Sequence, residues 1–410
     1  MSLSRKPKLW TKDFIMVSTS NFLLFISFYM LIVTLTVYSI KSFHASESLA
    51  GLASSIFVLG AVLVRPIAGK ALATVGKKKL LLLGSVLFLA MMLLYFLVNN
   101  LPLLLTLRFI HGFSFGICTT ATGTIAAEII PVVRRGEGMG YFATSMNLAM
   151  AIGPFLGLFI SQHFDYTVIF VTTTTFALVS LIAALTLRVP EVARVPKETA
   201  KKSFQISDYF EKTTVPIAIF IAILGFVYSS ILSFMTSYAT EINLVDTASF
   251  FFVMYAAFLL ISRPFTGQLF DLKGENSVIY PCLVIFGFGL ILLSQASHGL
   301  ILLIAGAVIG IGFGTVQSSA QTIAVNRAPS HRIGLATSTF FVFFDTGVGV
   351  GPFLLGFTLP LTGYRGMYVG MACIVFVSIF VYYFVHGKKT SRSRKQHRMI
   401  HEEVEKQLGQ

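Results

Sequence analysis

Apolar residues run along this chain in long unbroken stretches instead of alternating with polar ones. Twelve stretches can be drawn. The first six are 14–38, 48–70, 80–98, 103–127, 139–161 and 167–187; the second six are 215–239, 248–270, 278–296, 300–325, 335–358 and 366–386. Most hold about 17–25 residues, the length at which a helix rising ~1.5 Å per residue crosses a ~30 Å hydrocarbon core. A membrane barrel would need short segments of apolar–polar alternation, which are missing from the pattern. Within hydrocarbon each backbone group must be satisfied inside its own segment, so the stretches predict helices. The expected fold class is an all-α membrane protein with twelve transmembrane helices.

The second set of six repeats the first. Displacing the chain by 198 positions lays Arg65-Pro66 on Arg263-Pro264, Gly69 on Gly267, Gly76 on Gly274, Gly112 on Gly310 and Gly116 on Gly314. The same displacement lays Gly153-Pro154-Phe155-Leu156 on Gly351-Pro352-Phe353-Leu354. A single displacement without gaps marks a duplicated unit. Six crossings return the chain to its starting side, so the copies form parallel, pseudo-symmetric bundles related by an axis along the membrane normal. The expected organisation is a bundle over 1–187, a linker over 188–214, a second bundle over 215–386 and a basic tail over 387–410.

Charge gives the chain a direction. Only 12% of residues are charged, about half the usual share of a soluble domain, so lipid must cover much of the surface. With both termini and the even-numbered connections on one side, that side collects 26 of the 31 Lys and Arg. The other side holds Lys41 and Arg365, while Arg65, Arg108 and Arg263 lie within or at the edge of stretches. Basic connections stay cytoplasmic, which predicts both termini inside, in a bacterial plasma membrane. The net charge of +14 then faces the anionic inner leaflet, and no nucleic-acid partner is expected. The stretch following Lys12 is too long for a signal-peptide core and reads as the first span. Cys118, Cys282 and Cys373 lie scattered in spans, without metal-ligand spacing, as small packing residues.

Several motifs resemble the major facilitator superfamily over the whole chain except the tails. The loop after the second span carries Gly69, Gly76 and Lys77-Lys78-Lys79, similar to that family's G-x-x-x-D-[RK]-x-G-[RK]-[RK] motif, with Ala73 at the acidic position. The second copy keeps the carboxylate, as Gly267, Asp271 and Gly274. Arg108-Phe-Ile-His111-Gly112 resembles the family's buried-arginine motif, and Gly153-Pro154-Phe155-Leu156-Gly157 its antiporter signature. The resemblance implies a twelve-span drug/proton antiporter with Asp271 latching the halves together. Merely a turn bearing inside-positive charge is the competing reading of both loops.

Ionisable groups within spans are costly and so informative. Asp345 lies about 15 Å along the eleventh span by helical rise, near mid-membrane. An isolated carboxylate there would exchange a proton near neutrality; its mate in the first copy is Asn147. Arg108 and His111 share one face of the fourth span, where the arginine is expected to border a cavity and His111 to relay protons or simply pack. Glu128, near Arg134 and Arg135, is a candidate gate pair. By resemblance, spans one, four, seven and ten line the pathway. They offer Asn21, Phe25 and Tyr29, then Phe226, Tyr228 and Phe234, then Gln317 and Gln321, an aromatic wall with amides that suits an amphipathic solute. Arg65, Arg263, Gly69, Gly76, Gly267, Gly153-Pro154 and Gly351-Pro352 are candidate gating positions.

The function this predicts is secondary active transport by alternating access: proton-coupled efflux of small amphipathic organic compounds by a monomer. No cofactor is expected, the proton gradient supplying the energy. Export of one endogenous metabolite, such as a metal-chelating opine, a sugar or an amino acid derivative, is the alternative. An enzyme is disfavoured by the lack of a phosphate loop, nucleophile elbow or metal-spaced cluster in the sequence, and a receptor by the lack of a sizeable soluble domain.

Overall fold

The computed structural model describes residues 7–45, 47–189 and 208–388. Most of the expected linker and nearly all of the basic tail lie outside the described residues. Among those described, twelve helices are long and apolar enough to cross a membrane. Spans 1 to 6 are Lys12–Leu35, Ser55–Thr74, Lys77–Leu97, Leu101–Ile129, Val132–Ser161 and Tyr166–Thr186. Spans 7 to 12 are Val215–Met235, Phe250–Lys273, Asn276–Ser294, Gly299–Arg327, Ser330–Gly351 and Leu354–Gly387.

Local chemistry sets where these helices begin and end. Thr11 caps the first by accepting a hydrogen bond from the Phe14 amide at 3.2 Å, and Asn100 caps the fourth by accepting from Leu103 at 2.9 Å. Gly76 and Gly274, mates in the duplication, have φ of 98° and 82° at the turns after spans 2 and 8, a conformation that glycine adopts without a Cβ clash. The helices of spans 11 and 12 meet at a kink at Gly363, whose φ of 62° and ψ of 175° are not helical. Span 10 is interrupted by a π turn over Gly310–Gly314, a device that re-aims side chains within a helix.

One face of each outer helix is left for lipid. On span 2, Leu59, Leu63 and Ile67 recur every four residues and are 52%, 52% and 59% exposed, while Arg65 between them is buried. Cys118 and Cys282 are buried packing residues, but Cys373 is on an exposed face. Gly69 is corrected by the structure: it does not form the turn, since the helix continues to Thr74. A Cβ at Gly69 would lie 2.6 Å from Ser338 Cβ of span 11. Its mate Gly267 is equally tight, its Cβ position falling 2.9 Å from Glu137 Cα of span 5. The two halves thus meet along two matched seams, span 2 on span 11 and span 8 on span 5.

Candidate functional site

Polar side chains concentrate in these seams. Where span 2 faces span 11, Arg65 donates from Nε to Asp345 Oδ2 at 2.9 Å, with Nη2 2.7 Å from the same oxygen. Nη1 donates to Thr119 Oγ1 at 2.9 Å and Thr120 Oγ1 at 3.4 Å on span 4, and the Phe341 ring lies 4.8 Å from the guanidinium. Ser338 Oγ donates to the Arg65 carbonyl at 2.6 Å, a further tie across the seam. Asp345 is therefore not the isolated carboxylate expected from the sequence. The pair is nearly dry, with side-chain exposures of 1% for Arg65 and 19% for Asp345. Buried ions persist when they are paired and further hydrogen-bonded, and this pair meets both conditions. Helical rise puts both residues roughly 14–18 Å from the basic end of the bundle, near mid-membrane.

The second seam repeats this plan without the acid. Arg263 donates from Nε to Thr144 Oγ1 of span 5 at 3.1 Å, from Nη2 to the Gly314 carbonyl at 3.0 Å, and from Nη1 to Ser318 Oγ. Ser318 is the mate of Thr120 in the duplication. At the basic end, Asp271 accepts from the Gly136 and Glu137 amides at 2.9 and 3.1 Å, at the start of the helix Arg135–His163. A helix N-terminus carries partial positive charge, so a carboxylate is well placed there. Arg135 Nη1 adds a bond across the halves to Asn326 Oδ1 at 3.2 Å.

Other expected site residues sit inside one half. Arg108 does not border the seam: it is fully buried, donating from Nε to the Ala53 carbonyl at 2.9 Å with its guanidinium 4.3 Å from the Phe57 ring centre. A carbonyl and a ring face are its neighbours, while Nη1 and Nη2 have no hydrogen-bond partner among the described residues. His111 is a packed histidine, its Nδ1 3.0 Å from the Tyr95 hydroxyl and its ring edge-on to Phe57 and Phe88. Glu128 pairs with Lys77 at 2.5 Å, not with Arg134 or Arg135, because Lys77 starts the neighbouring helix of the same half. Arg134 instead forms a bidentate pair with Glu137, both bonds 2.9 Å.

Asn21 accepts from Thr122 and donates to Ser145, each at 2.9 Å, tying spans 1, 4 and 5 inside the first half. Phe25 packs edge-on against Phe115 at 5.0 Å. Tyr29, the last member of that stripe, is buried within electrostatic range of Asp345. Tyr228 stacks on Phe313 at 4.2 Å, and its hydroxyl meets Met150 Sδ across the seam. Gln317 Nε2 lies 3.8 Å from Met146 Sδ, and Gln321 and Asn147 are buried. Phe226 and Phe234 remain half-buried on span 7.

The Gly-Pro positions are close contacts between helices. A Cβ at Gly153 would lie 2.6 Å from Tyr29 Cβ, and one at Gly351 would lie 1.8 Å from Ser229 Oγ. Pro154 sits within the uninterrupted helix Arg135–His163; the side chain of Pro352 is outside the described residues.

Two six-helix halves with duplicated seams define a lineage, and the family model described as the Major Facilitator Superfamily matches residues 17–352 and again 245–407. The chain belongs to the major facilitator superfamily. It is a multi-pass cell-membrane transporter of small molecules. An uncharacterized MFS-type transporter of Methanocaldococcus jannaschii, MJ1560, is 26% identical over 72% of this chain and 77% of its own length. Multidrug resistance protein 2 of Bacillus subtilis is 22% identical over 88% of this chain and 92% of its own. Multidrug resistance protein MdtG of Erwinia billingiae is 23% identical over 94% and 96%. The crystal structure of the human organic anion transporter MFSD10 (TETRAN) superposes with a TM-score of 0.72 at 14% identity, covering 92% of this chain and all of that one. At that identity the likeness is one of fold. Within this superfamily member, sequence reading found Arg65 and Asp345 separately but missed that they pair. It also missed Thr119, Thr144 and Ser318; the 198-residue displacement relating Thr120 to Ser318 was the available clue.

Proposed function

We propose that the protein exports small amphipathic organic compounds in exchange for protons, with Asp345 as the proton site. The observation that carries this reading is the Arg65–Asp345 ion pair, which joins the two halves at mid-membrane depth. A proton on Asp345 removes the charge that holds Arg65 and so weakens a tie between the moving parts. Relatives named multidrug resistance proteins support export of drug-type compounds.

In the proposed cycle both termini are cytoplasmic, so the seam contacts close the cytoplasmic end and the pathway faces outward. A proton entering from outside neutralises Asp345, Arg65 is released, and the halves rock as bodies to face inward. Loss of that proton to the cytoplasm restores the pair once a solute has bound, and the solute is carried out. Each ligand contributes only through its differential affinity for the two states. The cycle requires no cofactor and no enzymatic step; a monomer suffices, with its basic loops against the anionic leaflet. Proteoliposomes with an imposed pH gradient provide the test. Uphill movement of a lipophilic dye that collapses with a protonophore is expected, whereas movement indifferent to the gradient would refute proton coupling.

A further inference from the structure

The duplication leaves one arginine without its acid. Arg65 and Arg263 are mates, both buried, and both reach across a seam to span 5 or span 11. Arg65 finds Asp345 there. The mate of Asp345 is Asn147, one helical turn beyond Thr144, which cannot carry charge. The ionisable groups in electrostatic range of Arg263 are Tyr255, Cys282 and Tyr141, none of them a carboxylate. The acids of the same two spans are engaged elsewhere. Asp271, two turns down span 8, is bonded to the span 5 amides, and Glu137 is held by Arg134. Three neutral acceptors occupy three of the five N–H donors of Arg263. A guanidinium in hydrocarbon pairs with an anion or with backbone carbonyls, and Arg263 has a carbonyl and two hydroxyls but no anion.

Polar atoms with no partner among the described residues lie on the span of this cation and on the spans that bond it. Both amide atoms of Asn147, the Tyr255 hydroxyl and Gln317 Oε1 are of this kind, and each residue is 2% exposed or less. Tyr255 Oη lies 3.2 Å from the point a Gly314 Cβ would occupy, and the Gly314 carbonyl accepts from Arg263. Gly140 of span 5 lies against the guanidinium, a Cβ there falling 3.4 Å from Arg263 Nη1. Beside them the buried Tyr228 ring, 6.3 Å from Tyr255, stacks on Phe313, an aromatic neighbourhood that suits an apolar body.

We propose that Arg263, with Asn147 and Tyr255, receives an acid group of the transported compound, so that the solutes carried are organic anions or zwitterions with an apolar ring. The substrate supplies at the second seam the carboxylate that Asp345 supplies at the first. A forked guanidinium matches a carboxylate bidentately, and an amide and a phenol can each donate to the same oxygens. This rests on the exporter reading above and names the chemical class of its cargo.

Equilibrium binding to the purified full-length protein in detergent, without any gradient, tests it. The probes are 2-naphthoate, its neutral isostere 2-naphthamide, and tetraphenylphosphonium. The wild type should bind 2-naphthoate at least tenfold more tightly than the amide, and Arg263→Gln should erase that preference. Asn147→Asp supplies the acid from the chain itself, so it should also erase the preference while keeping a monodisperse, thermally stable protein. A wild type without preference for 2-naphthoate, or either variant retaining the preference, would overturn the assignment. A protein that lacks the preference but still exchanges protons for a dye loses this inference alone. One that binds 2-naphthoate selectively but ignores a pH gradient loses only the proton coupling.

Discussion

Replacing Asp345 by Asn removes a charge and leaves the helix otherwise unchanged, so it isolates the tie between spans 2 and 11. In the wild type Arg65 holds the carboxylate through Nε and Nη2 at 2.9 and 2.7 Å, while Thr119 and Thr120 supply weaker neutral contacts. Stranding one member of a buried pair costs roughly 3–5 kcal/mol. Because Asp345 keeps 19% side-chain exposure, the lower end of about 3 kcal/mol applies here. That penalty falls on the arrangement in which Arg65 is dry and closed over. An open arrangement admits water to the guanidinium and escapes it, so the ratio of closed to open protein should drop by about a hundredfold.

Spin labels at Val132 and Ser330 would read this directly. They are mates in the duplication, one on each half, and both are exposed at the basic end; Cys373, the exposed native cysteine, is first replaced by Ala. The wild type should give a short distance at neutral pH, and Asp345→Asn a longer one. Acidification should lengthen the wild-type distance but leave the variant unmoved. Combining Arg65→Gln with Asp345→Asn makes both partners neutral and should recover most of the short distance, a non-additivity expected of residues in contact. An unchanged distance in Asp345→Asn, or strictly additive single and double variants, would refute the reasoning.

Two further perturbations probe the remaining ties. Asp271→Ala deletes two charge-assisted bonds to the span 5 helix; at about 1–3 kcal/mol it should shift the same label pair toward the long distance, and no shift would count against a latch. The converse, Ala73→Asp, puts the missing acid into the first copy at an exposed site and should favour the short distance and slow transport. Glu211 tests the segment ahead of span 7, where it pairs with Arg332 and accepts from the Thr213 hydroxyl at 2.8 Å and amide at 3.2 Å. Burial pushes its carboxyl up, but Arg332 and Thr213 together pull it below the ordinary range. A carboxyl lowered on folding stabilises above its unfolded value, about 4.3 for Glu, and that stability is lost as pH falls through the folded value. Glu211→Gln should thus lower Tm at pH 7, and the gap to wild type should narrow below about pH 4; a gap independent of pH would dismiss the ion pair as a stabiliser.

What the sequence disclosed follows the range of the interactions involved. The twelve spans were legible because hydrocarbon permits few charges and no broken backbone. The stretch expected at 14–38, for instance, lies inside the helix Lys12–Phe43. The tight kink between the helices of spans 11 and 12 was not legible, since Gly363 makes it and reads like any other glycine. Asp345 stood out as an acid in an apolar run. Its partner did not, because Arg65 lies 280 residues away and only the folded seam brings them together. The aromatic and amide stripe of span 1 was found by helical spacing, but spacing cannot tell a face turned toward a pathway from one turned into its own bundle. Asn21 bonds Thr122 and Ser145 and Phe25 packs on Phe115, all within the first half.

The two copies differ in where their acids stand, and that difference bears on mechanism. Backbone contacts are conserved between copies: a Cβ at Gly112 would strike the Phe57 carbonyl at 2.1 Å, and one at Gly310 the Tyr255 carbonyl at 2.2 Å, with Phe57 and Tyr255 themselves mates. The scaffold that carries the seams is thus shared. Asp345 has only Asn147 as its mate, however, and Asp271 only Ala73. Each seam consequently holds one of these acids, at mid-depth between spans 2 and 11 and at the basic end between spans 8 and 5. If both seams answered to the same ligand, proton and solute would compete without distinction at either. In the proposed exchange the acids are divided, so that a proton would act on the first seam by releasing Arg65 and an anion on the second at Arg263. In such an exchange each ligand drives its stroke through its own differential affinity for the two states.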